Sequence, residues 1–437
     1  MLKTIFYSAL IMQSITSFAQ DSSAIKTPFD GMDLTWINGQ NRQQNFPLIF
    51  ADKKTGETIL AGVAYLDTYF NYDFNNPIDN THTISSTIGR HKEFTLNLAS
   101  IGIETNYKNI IGRLWLQTGQ MASIIQDVDG TTARGRNTNI NNLKYIREAA
   151  AGYHFNKWYG VNIEMGIFMS YIGLESYVTQ ENWCYQRSMV CDFTPFYFSG
   201  ARVQIFPTKN YKTELWLLNG WQSYNSWNSF IGMGNSNYYR PNENVQLVAN
   251  FYVGKDSKTS IYRFHHDNSI VARYFNQPKS KGISQAACSI NTHYGFQNGA
   301  GVTPAQQYMT GAALTNRLWF NKNKIALSIR GDVVTNPGLY LAFSPSTVTP
   351  NDFTDAISLD AKQKLTIYQG TTTVDIMPTD YVTFRFEYAK RQSNIPYFAG
   401  HGGTTSPDGW TTTASTGWRP DLRKTEDRFT VAVNFRL

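Results

Sequence analysis

Few side chains in this sequence have the types and spacing for covalent or metal chemistry, and the densest group of them fails on geometry. His265-His266-Asp267 sets three metal-ligating types side by side. Successive side chains of a strand point to opposite faces, so His265 and His266 cannot both reach one ion. His154 and His293, each alone in its segment, read as polar strand residues. No Gly-x-Ser-x-Gly elbow, phosphate-binding loop or His-Glu-x-x-His helix occurs, so no catalytic residue, metal ligand or cofactor is expected. A barrel enzyme with Ser and His on its outer wall stays open only as a minor alternative. Cys184 and Cys191 are spaced to close a small disulfide in an oxidising compartment, though spacing alone does not prove one. Cys288 shares the parity of Ala286 and Ile290 and reads as a small hydrophobe.

The chemistry that remains is electrostatic. Arg113, Arg202, Arg263, Arg273, Arg330 and Arg385 fall on the polar parity of alternating segments, beside Glu148, Glu164, Asp267, Asp332 and Glu387. Their meaning depends on the elements that carry them. In Phe429-Thr430-Val431-Ala432-Val433-Asn434-Phe435-Arg436-Leu437 the odd positions are apolar and polar residues interleave, so one face wants hydrocarbon and the other water. The same alternation returns along most of the chain. An Arg facing lipid at mid-bilayer costs ~2–4 kcal/mol, so the six arginines are expected to face inward and line a water-filled pore. Arg147 shares parity with Ala149, Ala151 and Tyr153 and is expected at the extracellular end of its strand, where the penalty is small.

Composition agrees with strands that have one wet and one oily face. Aromatic residues make up 14% and charged residues 16% of the chain, with 26 Tyr and 27 Phe, while the mean hydropathy of -0.37 is that of a polar protein. No apolar run after the first residues reaches the ~18 needed for a spanning helix. Met1 to Ala19, with Lys3, an apolar core from Ile5 to Met12 and small residues at Ser17 and Ala19, reads as an export signal. Residues 20–57 are then an N-terminal periplasmic or plug segment, and 58–437 the transmembrane region. The net charge of +7 is too small to fix ion preference, and no basic run with interleaved aromatics argues for nucleic acid.

The connections supply a parity test. Ile59–Tyr72 leads to a long polar loop, Phe94–Thr105 turns at once into Ile110–Ser123, and short turns continue to alternate with long loops up to the final strand. This predicts an all-β fold: a transmembrane antiparallel up-and-down barrel of about 16 strands, with 14 or 18 as alternatives. Short turns on the periplasmic side would place both termini there.

Several segments resemble the β-barrel porins of the OmpL-like family. These are Gly62-Val63-Ala64-Tyr65-Leu66-Asp67-Thr68-Tyr69-Phe70-Asn71-Tyr72-Asp73-Phe74-Asn75, then Arg90-His91-Lys92-Glu93-Phe94-Thr95-Leu96-Asn97-Leu98, then Gly173-Leu174-Glu175 with Trp183 and Arg187-Ser188, and Leu217-Leu218-Asn219-Gly220-Trp221-Gln222. The resemblance spans roughly Gly31 to the C-terminus and implies a Gram-negative outer-membrane porin, without a known solute. Leu437 departs from the aromatic residue that commonly ends such chains and feeds the outer-membrane assembly machinery. By the same resemblance, the connection Ile172–Pro195 is the candidate constriction, carrying Glu175, Glu181, Trp183, Arg187 and Asp192; its alternative is an ordinary surface loop. The expected function is passive diffusion of small hydrophilic solutes or ions through a barrel bathed by outer-membrane lipid, monomeric or homotrimeric. The alternative is a closed or plugged barrel acting as a binding or structural adaptor, with the aromatic stretch Trp221–Tyr239 stacking on saccharides.

Overall fold

The computed structural model describes residues 26–37, 47–82, 85–127, 129–131, 140–192, 194–226, 230–255, 260–341, 364–413, 415 and 418–437. The export-signal reading of Met1 to Ala19 lies outside these residues. The strands are β1 (Ile49–Ala51), β2 (Thr58–Asp73), β3 (Phe94–Tyr107), β4 (Ile110–Thr118), β5 (Ile146–Phe155), β6 (Val161–Met169), β7 (Tyr197–Thr208) and β8 (Tyr211–Leu218). They continue with β9 (Gly232–Asn242), β10 (Val245–Lys255), β11 (Tyr262–Asn276), β12 (Ile283–Asn298), β13 (Tyr308–Phe320), β14 (Ile325–Thr335), β15 (Thr366–Ile376) and β16 (Val382–Ser393). Last come β17 (Phe398–Ala399), β18 (Leu422–Arg423) and β19 (Thr425–Arg436).

Each of β2–β16 pairs antiparallel with its neighbour in sequence, and β19 pairs with both β16 and β2. The sheet therefore closes on itself as a barrel of sixteen strands, the number the alternation predicts. Closure leaves none of the sixteen barrel strands with a free edge, the only way a β structure satisfies its backbone in hydrocarbon. At the seam the last residue contributes directly: Leu437 N donates to Ala64 O at 2.9 Å and Ala64 N to Leu437 O at 3.0 Å.

The two faces separate as period-two alternation requires. Outward positions stay exposed and apolar, among them Ile101, Ile103, Leu114, Leu116, Ile163, Met165, Leu215, Leu217, Ile270, Leu314 and Ile329. Inward positions on the same strands are buried and mostly polar, such as Ser100, Glu164, Glu214, Asp267 and Arg330, with large apolar exceptions at Trp115, Phe168 and Trp216. This outer band has the pattern of a lipid-facing wall, and the chain has no helix long and apolar enough to cross a membrane among its described residues. Short turns use left-handed residues where the chain must reverse in two or three positions, as at Asn321-Lys322-Asn323 with φ of 51, 57 and 64°.

Two local expectations are corrected. The segment expected as a strand to Ser123 leaves the sheet at Thr118, and Gln120–Asp127 forms a helix, α1. Gly119, at φ 122°, makes the break, because a Cβ there would stand 2.5 Å from Asn97 O. Beyond it Met121 and Ile125, one helical turn apart, bury themselves beside Tyr177, Phe196 and Tyr197. Arg147 does not sit at a harmless lipid boundary. A register shift between Trp115 and Leu116 of β4 pairs Glu148 and then Ile146 of β5, and Arg147 in the gap turns inward. Its guanidinium lies over Trp115 at 3.8 Å.

Candidate functional site

The site is the barrel interior, and its main occupant is the connection between β6 and β7. The described residues of this connection, 172–192, 194 and 195, fold into the lumen instead of projecting beyond it: Trp183, Cys184, Tyr185, Gln186, Arg187, Ser188, Met189, Val190 and Cys191 are all buried. A loop with so many backbone polar groups can sit inside only if the wall satisfies them. The inward strand residues do so, with guanidinium groups meeting carbonyls and carboxylates meeting amides.

On β16, Arg385 donates to Thr179 O at 2.6 Å and Asn182 O at 2.8 Å while paired to Asp375 of β15 at 2.9 Å. Glu387 accepts Tyr185 N–H at 2.6 Å and Gln186 N–H at 3.2 Å, and Arg428 of β19 neutralises it at 2.9 Å. On β14, Arg330 donates to Gln186 O and to Glu175, each at 2.8 Å, while Asp332 accepts Met189 N–H at 3.0 Å. Arg317 of β13 adds a bond to Trp183 O at 2.8 Å.

Further anchors come from β2 and β19. Thr179 donates to Asp67 at 2.8 Å, and Glu181 pairs with Arg436 at 2.7 Å. Asp192 accepts Ser86 N–H at 2.9 Å, and Arg187 lies over the Phe196 ring at 4.9 Å. Charge-assisted bonds of this kind are roughly twice as strong as neutral ones, so the loop is held at many points across half the barrel.

This geometry changes the reading of the inward charges. Arg330, Asp332, Arg385 and Glu387 turn inward, but what they meet is the loop, not water. Arg263 is buried as well: it donates to Tyr340 O at 2.8 Å and lies over the Tyr340 ring at 4.2 Å. Arg273 pairs with Asp33 at 2.6 Å and Glu243 at 2.9 Å. Parity gives the face of a side chain; it carries no information on what a distant segment will place against that face.

The wall from β4 to β8 is covered at its long-loop end, where Ala150, Phe168, Phe198 and Trp216 join Met189 and Val190 of the loop in one apolar cluster, and it keeps some exposure only along its charged stretch. Arg113 pairs with Glu164 at 2.5 Å and Glu148 at 3.5 Å, and its side chain keeps 26% of its surface exposed. Arg202 binds the other oxygen of Glu164 at 2.7 Å and lies over Phe168 at 4.7 Å. Lys212 pairs with Glu214 at 2.8 Å. This is a ladder of alternating charges on one side of the interior, on the short-turn side of that apolar cluster and adjoining Asn162, Gln204 and His154.

At the short-turn end the N-terminal stretch 26–37 enters the same space. Trp36 is 1% exposed, and its Nε1 donates to Asp33 O at 3.0 Å and Glu243 O at 3.1 Å. Trp183 donates to Trp36 O at 3.3 Å and stands edge-on to Trp319 with ring centres 5.8 Å apart. N-terminal segment, inward loop and wall thus share one apolar cluster, completed by Val271, Ala287, Ala326 and Met377. Above it, between the loop and β11–β13, a cavity of about 30 Å³ is lined by Glu175, Trp183, Asn291 and Thr315, among others.

Two further expectations change. Cys184 and Cys191 are unbonded thiols. Cys191 Sγ donates to Asn291 Oδ1 at 3.2 Å on β12, whereas Cys184 lies near Arg330 and Thr373 on the β14–β15 side, so the loop presents them to different walls. Burial pushes the Cys184 thiol up to about 11 and the Cys191 thiol up to about 12. Trp221 is not free to stack on a saccharide: it is buried against Tyr252, His265 and Tyr340. Sequence spacing correctly separates His265 from His266, but it misses that β11 and β12 pair Asp267 with His293.

Comparison with known proteins agrees with this architecture. The fold is similar to that of an anion-selective porin from Comamonas acidovorans, at a TM-score of 0.53 and 8% identity over 86% of this chain and 99% of that one. It is also similar to OprB of Pseudomonas putida, with a TM-score of 0.52 and 9% identity over 87% of this chain and 94% of the other. The outer-membrane channel DcaP of Acinetobacter baumannii gives 0.50 and 9% over 89% and 99%. At such identities the likeness is one of fold. No curated protein sequence matches the chain. The family described as "Putative beta-barrel porin-2, OmpL-like" matches residues 60–436. With its closed sixteen-strand wall and apolar outer band, the chain is an outer-membrane β-barrel with the architecture of a porin-like channel, and it belongs to this OmpL-like β-barrel porin family.

Proposed function

We propose that the protein lets small hydrophilic solutes diffuse passively across the outer membrane, along an eccentric path between the inward loop and the β4–β8 wall. The observation that carries this reading is the contrast between the two halves of the interior. Arginines on β13–β16 are sealed against the loop, while Arg113 on β4 keeps a quarter of its surface exposed. The path follows the charged stretch of that wall, and its width is set by the loop and by the apolar cluster at the long-loop end. Positive and negative groups alternate along that wall, so ion selectivity is weak despite the net charge of +7. The short-turn end, where residues 26–37 and Leu437 lie, faces the periplasm, and the protein functions as a monomer or homotrimer.

A second reading has its own observation. Trp36 closes on Trp183 at the short-turn end, so residues 26–37 act as a lower plug and the barrel rests closed. Liposome swelling separates the two. Wild-type protein that admits sugars of a few hundred daltons supports the open path. Swelling seen only with Trp36→Ala supports the plugged state, and no swelling with either rules out diffusion through the lumen.

A further inference from the structure

We propose that His265, His293 and Asp267 form a binding site for one divalent transition-metal ion of the zinc class, set beneath the inward loop. His265 and Asp267 are two positions apart on β11 and share the inward face, and His293 on β12 is the direct cross-strand partner of Asp267. All three are buried, and one ligand atom of each lies within 4.8 Å of the others. His265 Nε2 and His293 Nδ1 stand 3.1 Å apart. Two nitrogens each about 2.0–2.1 Å from one tetrahedral ion are separated by little more than this.

The surrounding hydrogen bonds fix which lone pairs point into the gap. Asn291 donates its amide to Asn268 O at 3.1 Å and to Ser269 Oγ at 3.0 Å, so its Oδ1 is an acceptor. His293 Nε2, 2.9 Å from that oxygen, therefore carries the proton, and His293 Nδ1 is bare. His265 Nδ1 is 3.0 Å from the Tyr340 hydroxyl, which also has Phe264 O at 3.0 Å. When the hydroxyl donates to His265, His265 Nε2–H bonds His293 and the metal-free state is complete. When it donates to the Phe264 carbonyl, His265 carries its proton on Nδ1 and two bare nitrogens face each other. A metal ion takes the place of that shared proton, with Tyr340 as the outer partner that orients the imidazole.

Asp267 supplies the third ligand. Its Oδ2 accepts Asn250 Nδ2–H at 2.9 Å, the Gly173 backbone amide lies against the carboxylate, and its buried Oδ1 makes no direct hydrogen bond among the described residues. A buried carboxylate with lone pairs to spare, within 4.8 Å of two imidazole nitrogens, is the donor set of a site with an open fourth position. Cys191 lies outside the set, since its sulfur is 3.7 Å from Nε2, on the far side of the His293 ring. Both ends of the inward loop rest here: a Cβ on Gly173 would be 3.1 Å from Cys191 Sγ and 3.6 Å from His293 Cε1. A bound ion would tighten the wall on which the loop is seated.

The test uses tag-free, refolded full-length barrel, stripped with chelator and titrated with Co²⁺. One equivalent should bind with visible d–d absorption and no thiolate charge-transfer band. His265→Gln and His293→Gln should each weaken binding by more than about 10-fold, while His266→Gln, on the opposite face, should not. X-ray absorption on the zinc-loaded wild type, which needs no variant to fold, should show nitrogen and oxygen neighbours only. Absence of stoichiometric binding, sulfur in the coordination shell, or undiminished binding to a folded double variant of His265 and His293 would each overturn the proposal.

Discussion

At the residue scale, the interior side chains do two jobs that alternation alone cannot tell apart. Arg330 and Arg202 occupy equivalent inward positions on their strands. Arg330 ends against Gln186 O and Glu175 of the loop, whereas Arg202 ends on Glu164 of the wall itself and keeps 10% of its surface exposed. The inward face of both was legible in the sequence, because lipid would tax a misplaced arginine by ~2–4 kcal/mol at mid-bilayer. Their partners were not legible, since the loop that meets Arg330 is 144 residues away from it in sequence. The cysteines make the same point: their spacing permits a bridge, and only the loop path shows them facing different walls. With both thiols buried and pushed up to about 11 and 12, the folded barrel should resist iodoacetamide at pH 8. Mass spectrometry should find two further alkylated sites only after unfolding; a mass shift from a native disulfide would refute the assignment.

At the scale of elements, strands were readable and their exceptions were not. The period-two pattern places all sixteen barrel strands, because each carries its own record of inside and outside. Helix α1 hides within that pattern: Met121 looks like a strand residue until Ile125, one helical turn on, and Tyr177 of the inward loop pack beside it. The bulge that turns Arg147 inward likewise depends on the β4–β5 register, which no single strand encodes. The connection between β2 and β3 offers a pH test. His91 Nδ1 accepts the Asp73 amide at 2.8 Å, and burial, with the charge of Lys92, pushes the imidazole down to about 4. Between that value and its ordinary 6.5, the open loop binds a proton that the closed loop refuses. Closure is therefore fully favoured above pH 6.5 and is lost as pH falls toward 4. Hydrogen exchange should show the Asp73 amide losing protection over that window in wild type, with His91→Gln flattening the response.

At the scale of the whole molecule, the barrel is a closed wall around a deliberately occupied interior. A sixteen-strand ring has room for an aqueous lumen, and here the β6–β7 loop and Trp36 take up much of it. The loop is held by buried ion pairs, and removing one member of such a pair costs about 3–5 kcal/mol because the other is left uncompensated. Loss of Arg330 and Arg385 should therefore release the loop before it unfolds the barrel, whose backbone hydrogen bonds close around the ring independently of them. The most direct test is single-channel conductance in a planar bilayer under a salt gradient, comparing wild type with Arg330→Ala/Arg385→Ala after both are shown to be folded and heat-modifiable. Small wild-type steps with a reversal potential near zero, rising at least two-fold and becoming noisy in the variant, are the predicted result. Wild-type steps as large as those of an unobstructed sixteen-strand lumen, or a variant that conducts as wild type does, would contradict the account.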